Sequence, residues 1–462
     1  MRSTEQVGAI LAGGCCIGCG ACSAVGGAAL RPRLNRHGMF EPVLPPDFGE
    51  ETAAAVLNVC PFSDEGPDED ALARALYPAA RVDDRLGRYQ QLYAGYVAEG
   101  EFRARGSSGG VISWLLSELL RTGKVDAVIH VGSAPPGSDR LFAYRVSSTL
   151  EEVLAGAKSR YYPVEMSDVL ALVLAKPGRY ALVGLPCFIK AARRLARVDA
   201  VFRERVVHTV GLVCGHLKST AFADCFAWQA GIPPGALEFI DFRVKQADRQ
   251  AHDYAVTLRG AGRETTAPAG GFFASGWGLG LFKYEACEYC DDVFAETADI
   301  AVGDAWIPAY MQDPGGTSVI VARSDEMLRL VEDARREGRL HLEPSTADVI
   351  ATSQTAGLRH RREGLRYRLH LARQRGHWKP RKRVPASARG VSLRRRRIYR
   401  LREDLRRSSH ELWLESVRAG DLRRLTDGLR GLLARYHRAQ NPLLLRVLAR
   451  LWRLIRPPGR SS

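Results

Sequence analysis

Tyr180-Ala181-Leu182-Val183-Gly184-Leu185-Pro186-Cys187 passes from four β-prone residues through a Gly-Leu-Pro turn to a cysteine. Residues 180–183 read as a short buried strand, and the turn sets Cys187 just past its carboxyl end. The pattern recurs at 206–213, where a β-branched run leads into Cys214. Further strands are expected at 125–131 and 300–302, and helices at 110–121, 219–229 and 325–336. In the first of these helices Val111, Trp114, Leu115 and Leu119 recur at helical spacing. Short strands alternating with helices indicate an α/β domain. In open α/β sheets, ligands bind at the carboxyl ends of the strands.

That edge gives meaning to the ten cysteines of this 462-residue chain. Cys16-x-x-Cys19-x-x-Cys22 puts three thiolates around one corner of a cubane, and Cys60, followed by Pro61, closes the site as the Cys-Pro element of bacterial ferredoxins does. Zinc more often takes two separated Cys-x-x-Cys pairs. A coincidental run of core cysteines is the bland alternative. One cysteine at a strand end is more often structural than ligating. With Cys287-x-x-Cys290, however, Cys187 and Cys214 make a second set of four. Cys15 and Cys225 are left over, as a neighbour of the first site and a buried helix residue. The cysteines are too sparse and too tightly spaced for a disulfide scaffold, so a reducing cytosol is the expected compartment.

Gly106-Ser107-Ser108-Gly109-Gly110 precedes the helix that opens at Val111. Small residues there let backbone N–H groups approach a phosphate, and the helix N-terminus adds a favourable dipole. An ordinary loop with a capping serine is the competing reading. Neither a Walker motif nor the Rossmann fingerprint is present. Lys158-Ser159-Arg160-Tyr161-Tyr162 is a second candidate contact, with cations for phosphate and a tyrosine ring for a planar cofactor. A solvated basic turn explains it about as well.

Charge divides the chain unevenly. Residues 359–462 hold 31 Lys+Arg against 7 Asp+Glu, a net +24, which leaves 36 against 44, a net −8, for the rest. A mildly acidic body therefore carries a very basic tail. Within the tail, a helix expected at 442–456 puts Arg446, Arg450 and Arg453 on one face and Leu444, Leu448, Leu451 and Ile455 on another, with Trp452 as an interfacial anchor. Docking on an acidic partner or on the chain's own body ranks first, an anionic membrane surface second and nucleic acid third. Residues 376–390 read as a linker. No signal peptide and no spanning helix is expected. The expected location is cytoplasmic, with a peripheral place at the inner membrane face as the extension of the second option.

Taken in order, these segments resemble the coenzyme F-420 hydrogenase/dehydrogenase beta subunit family, which includes 7-hydroxymethyl chlorophyll a reductase. The resemblance runs through residues 16–22, His37-Gly38-Met39-Phe40-Glu41-Pro42, Cys60-Pro61, Ser107 to Val111 and Lys158 to Tyr161. It continues through Gly184 to Cys187, Gly211-Leu212-Val213-Cys214, Phe242-Arg243-Val244-Lys245, Cys287-Glu288-Tyr289-Cys290 and Ala298 to Asp304. It implies an α/β fold with a mixed-sheet flavin-binding core (91–357) and a small N-terminal ferredoxin-like cluster segment (1–90); the basic α-helical C-terminal tail (358–462), read from charge and pattern, lies beyond it. It also implies FAD at Ser107, Ser108, Gly109, Gly110, Lys158, Ser159, Arg160 and Tyr161. Two [4Fe–4S] clusters are implied, on Cys16, Cys19, Cys22 and Cys60 and on Cys187, Cys214, Cys287 and Cys290. The implied activity passes electrons between a ferredoxin-like one-electron carrier, as redox partner protein, and a two-electron substrate such as the reduced deazaflavin coenzyme. The alternative is a non-catalytic relay or accessory subunit linked to surface-polysaccharide biosynthesis. His216, Asp304 and Tyr162 adjoin the cofactor motifs, but no general acid is assigned.

Overall fold

Apolar residues alternate along the central strands, and that alternation sorts their side chains to two faces. Ala127, Ile129, Tyr180 and Leu182 bury on one side of the sheet, and Val128, Ala181, Val183 and Val210 on the other. The computed structural model describes residues 2–441. Its main sheet has eight strands in the order Leu340–Pro344, Gln91–Val97, Ser318–Ala322, Ile300–Asp304, Val206–Leu212, Tyr180–Gly184, Ala127–Ser133, Phe142–Ser147. The strands at 300, 206, 180 and 127 are mutually parallel, and the outer pairings are antiparallel. Helices Val111–Arg121 and Asp325–Arg336 cover one face through Trp114, Leu115, Met327 and Val331. Pro186–Val198 and Ser167–Ala175 cover the other through Phe188, Ile189, Leu195 and Leu170. A separate antiparallel sheet is made by Leu237–Val244, Ala255–Gly260 and Arg263–Pro268.

The expected strands and helices are present with small shifts of their ends: the strand expected at 125–131 runs from Ala127 to Ser133, and the helix expected at 219–229 begins at Ala221. The helix expected at 442–456 lies outside the described residues. The preceding part of the tail forms two antiparallel helices, Leu393–Ala419 and Arg423–Gln440, joined along Leu405, Leu425 and Leu429. The Arg394 Nε donates to the Ala439 carbonyl at 2.8 Å across their ends. No helix among the described residues is long and apolar enough to cross a membrane.

Residues 376–390 hold neither helix nor strand, yet they are tied to the body rather than free of it. Lys379 reaches Glu285 at 2.9 Å, Lys382 reaches Asp291 at 3.4 Å, and Arg383 reaches Glu296 at 2.7 Å. The Lys382 and Asp291 side chains are both almost fully buried. These pairings hold the pKa of Asp291 well below and that of Arg383 well above the usual range, against the cost of desolvation.

The N-terminal cysteine segment is fixed to the sheet by the helix that follows strand Tyr180–Gly184. Cys187, Lys190 and Arg194 recur at helical spacing along Pro186–Val198, so they share one face. Lys190 pairs with buried Glu69 at 3.0 Å. Arg194, 1% exposed, donates to the carbonyls of Gly66 at 2.7 Å, Pro67 at 3.0 Å and Ser63 at 3.3 Å, and also to that of Cys60. One guanidinium thus ties together four carbonyls of the 60–67 turn. Arg194→Met keeps the aliphatic stem and strips those carbonyls of their donor, so it should cost about 3–5 kcal/mol of unfolding free energy. Chemical denaturation checks this, and a loss below about 1 kcal/mol would contradict the clamp.

Candidate functional site

Four parallel strands point their carboxyl ends at one edge, and there a cavity of about 280 Å³ opens. This is the edge at which α/β sheets bind ligands, and the volume falls just below the roughly 300–1,000 Å³ usual for small-molecule sites. Val131, Val183, Leu212 and Val302 contribute the apolar wall, all from strand ends or strands. Of the eight residues expected at a cofactor, Ser107, Ser108, Gly110, Lys158, Ser159, Arg160 and Tyr161 line it. Gly109 does not; it packs under the loop, where a Cβ would meet the Gly95 carbonyl at 2.7 Å and the Ser318 side chain at 2.8 Å.

Hydrogen bonding separates the two serines. Ser107 Oγ accepts from the Ser159 N–H at 2.8 Å, which joins the two cofactor segments and leaves its own proton free to donate. Ser108 Oγ donates to the Thr317 carbonyl at 2.8 Å, so its proton is committed. Lys158 sits at φ +95°, an unusual backbone for a lysine, with its Nζ on the Arg243 carbonyl at 3.0 Å. Arg160 lies 4.8 Å from the Phe142 ring centroid, and its Nε has no hydrogen-bond partner.

His216, Asp304 and Tyr162 all line the cavity, as their place beside the motifs suggested. His216 stacks on Trp277 with ring centroids 4.2 Å apart, and its buried Nε2 is unpartnered. Burial, with Lys218 and Lys283 nearby, holds its pKa well below the usual histidine range. Asp304 pairs with buried Arg243 at 3.1 Å, and that guanidinium also donates to the Ser107 carbonyl at 3.0 Å. Sequence reasoning gave no role to Arg243, Lys218 or Trp277. Lys218 is 1% exposed, bonded through Nζ to the Leu281 carbonyl at 2.6 Å and 4.5 Å from the Phe222 ring centroid. Burial and the Lys283 charge push its pKa well down. The Phe242-Arg243-Val244-Lys245 motif was a signal for Arg243; Lys218 and Trp277 had none.

Each of the eight cysteines has other members of its expected set as neighbours. Cys16, Cys19, Cys22 and Cys60 interact electrostatically with one another, and burial pushes all four thiols up. The Gly18 N–H donates to Cys16 Sγ at 3.3 Å. The thiols of Cys187, Cys214, Cys287 and Cys290 interact likewise. Burial raises Cys187 well above the usual thiol range, Cys214 to about 12 and Cys287 to about 11. The Leu217 N–H donates to Cys287 Sγ at 3.2 Å. Cys225 is fully buried in helix Ala221–Gln229, and buried Cys15 adjoins the first set. Among the described residues, no three His, Cys, Asp or Glu side chains converge closely enough to hold a single metal ion.

Gly110 opens the helix with φ +81°, and a Cβ there would meet the Phe102 carbonyl at 2.5 Å. Gly110→Ala combines a left-handed backbone with that clash, so a loss of about 1–3 kcal/mol is expected from thermal or chemical unfolding. An unaltered stability would show that the loop has another conformation.

Comparison with known proteins matches two family profiles. Residues 92–171 match the N-terminal part of the coenzyme F420 hydrogenase/dehydrogenase beta subunit, and residues 178–348 match the C terminus of the same family's beta subunit. No curated protein matches the chain. Among solved structures, a chain from the F420-reducing [NiFe] hydrogenase complex of Methanosarcina barkeri aligns with TM-score 0.50 and 18% identity, over 65% of this chain and 98% of that one. That likeness shows a shared fold.

Proposed function

The chain belongs to the coenzyme F420 hydrogenase/dehydrogenase beta subunit family, and from that premise we propose that it is an iron–sulfur flavoprotein oxidoreductase. FAD would occupy the cavity, and each cysteine set would hold a [4Fe–4S] cluster. One observation carries this reading: Cys214 stands both in the cavity wall and among the four thiols of the second set, so ligand site and cluster site share a residue. The series continues, because Cys187 interacts with Cys19 of the first set, and Tyr144 borders the cavity and both of those cysteines.

The residues present fit the groups. Soft thiolates suit iron–sulfur clusters, and the N–H groups of Gly18 and Leu217 already lie on cysteine sulfurs, where they would offset thiolate charge. Burial keeps the free thiols protonated, so cluster assembly must release those protons. In the cavity, the free Ser107 proton and the unpartnered Arg160 Nε supply donors for a phosphate.

Bound flavin would exchange two electrons with a substrate while each cluster passes one at a time. The chain's own part is positional. Arg243 holds Asp304 and the Ser107 carbonyl in place, and Tyr161, packed 4.8 Å from Trp277, gives the cavity an aromatic wall. The His216 Nε2 is a buried ring nitrogen in that wall without a partner, which leaves a neutral imidazole free to hydrogen-bond a substrate. The proposed substrate pair is a ferredoxin-like one-electron carrier and a two-electron donor such as reduced coenzyme F420.

Anaerobically purified Cys60→Ser and Cys290→Ser should each lose about four of about eight irons per chain, while Cys225→Ser keeps them all. Iron content unchanged in both of the first two variants would remove the cluster assignment.

A further inference from the structure

Arg361 lies beyond residue 348, where the family match ends. It sits in a single π-helical turn, His360–Gly364, between helices Thr355–Arg359 and Leu365–Gln374. Such turns insert one residue into a helix and re-aim its side chains, frequently at functional sites. Here the result is a guanidinium that is 1% exposed and directed at the second cysteine set. Its Nη2 donates to the Gly215 carbonyl at 2.8 Å, next to Cys214. Nε and Nη1 are buried and meet no oxygen or nitrogen acceptor, and the Cys290 sulfur is their neighbour. No carboxylate among the described residues forms a salt bridge with it. The nearby Glu288 is already surrounded by Lys283, His360 at 3.0 Å and Arg368 at 3.1 Å. The groups that do face Arg361 are the thiols of Cys290, Cys214 and Cys287.

A buried guanidinium with open donors and no carboxylate is costly unless negative charge stands opposite. Four thiolates around a cubane bring a net negative charge to that place. We propose that Arg361 is the fixed counter-charge of the second cysteine set, a positioning residue that raises the reduction potential of the cluster held there; this rests on the cluster reading above. One-electron reduction adds one negative charge beside an unmoving cation, so the reduced state gains more from Arg361 than the oxidised state does. Lys283 also reaches Cys287 and Lys382 reaches Cys290, but each of these lysines is paired with a carboxylate, Glu288 and Asp291, whereas Arg361 has none.

The test is an anaerobic reductive titration with dithionite, followed by electron paramagnetic resonance on protein whose iron has been counted. Arg361→Gln should make reduction of the second cluster at least tenfold less favourable, a downward shift of about 59 mV for one electron. The first cluster, on Cys16, Cys19, Cys22 and Cys60, should keep its potential and serve as the internal reference. Arg361→Lys retains the charge and should stay within that tenfold. If Arg361→Gln fails to keep four of its irons, retention by Arg361→Lys supports the proposal, and equal loss by both overturns it in favour of a packing role. A fully loaded Arg361→Gln with a wild-type potential also overturns it. Wild-type protein that assembles no second cluster instead overturns the functional reading, which separates the two failures.

Discussion

The Arg194 guanidinium, buried against four carbonyls of the 60–67 turn, is the interaction on which the arrangement of the two cysteine sets depends. It projects from the same helix face as Cys187, two turns further on. That helix is in turn packed on the central parallel sheet through Phe188, Ile189 and Leu195. A single rigid rod therefore sets Cys60 relative to Cys187, and electron transfer between two sites needs such a fixed separation. The strand ends supply the rest: Cys187 follows one, Cys214 follows its neighbour, and the cavity fills the space between them. The site is thus a consequence of strand order, with loops adding the remaining cysteines and lining groups.

Electrostatics decides how the basic tail is used. The body is net negative, and several of its carboxylates are buried where an unpaired charge would be costly. Asp291, Glu296 and Glu285 lie under residues 379–406 and are met there by Lys382, Arg383, Lys379 and Arg406. His410 and Ser409 extend the contact to Ser219 and the Phe282 N–H. The tail's most deeply buried lysines, Lys379 and Lys382, are thus matched to carboxylates of the same chain, as is Arg383 beside them. Arg361 differs from all of them, since it is as deeply buried and has no carboxylate.

The sequence revealed what depends on local pattern. Short β-prone runs located the strands at 180, 206 and 300, and helical spacing gave Asp325–Arg336 with its correct ends. Cysteine spacing grouped the thiols because ligands on one loop must be near in sequence, and counting supplied the remaining partners. What stayed hidden depends on contacts between distant residues. Strand Gln91–Val97 pairs with strands more than 200 residues later, so nothing local marks it as central. The sheet at 237–268 has turns that read as loops, and Lys218 reads as a surface lysine until the fold closes over it. The different duties of Ser107 and Ser108 arise from Ser159 and Thr317, partners that adjacency alone cannot supply. Residues 376–390 read as a linker because their composition is that of one, and only the buried carboxylates opposite reveal the packing.

The central claim is that one sheet edge brings together a flavin cavity and two cubane sites. An anaerobic visible spectrum of purified protein, with iron, sulfide and flavin quantified on the same sample, tests it most directly. About eight irons, about eight sulfides and one FAD per chain are predicted, with flavin bands bleached by a two-electron donor. Protein that assembles under anaerobic, iron- and sulfide-replete conditions with neither flavin nor cluster would contradict the account.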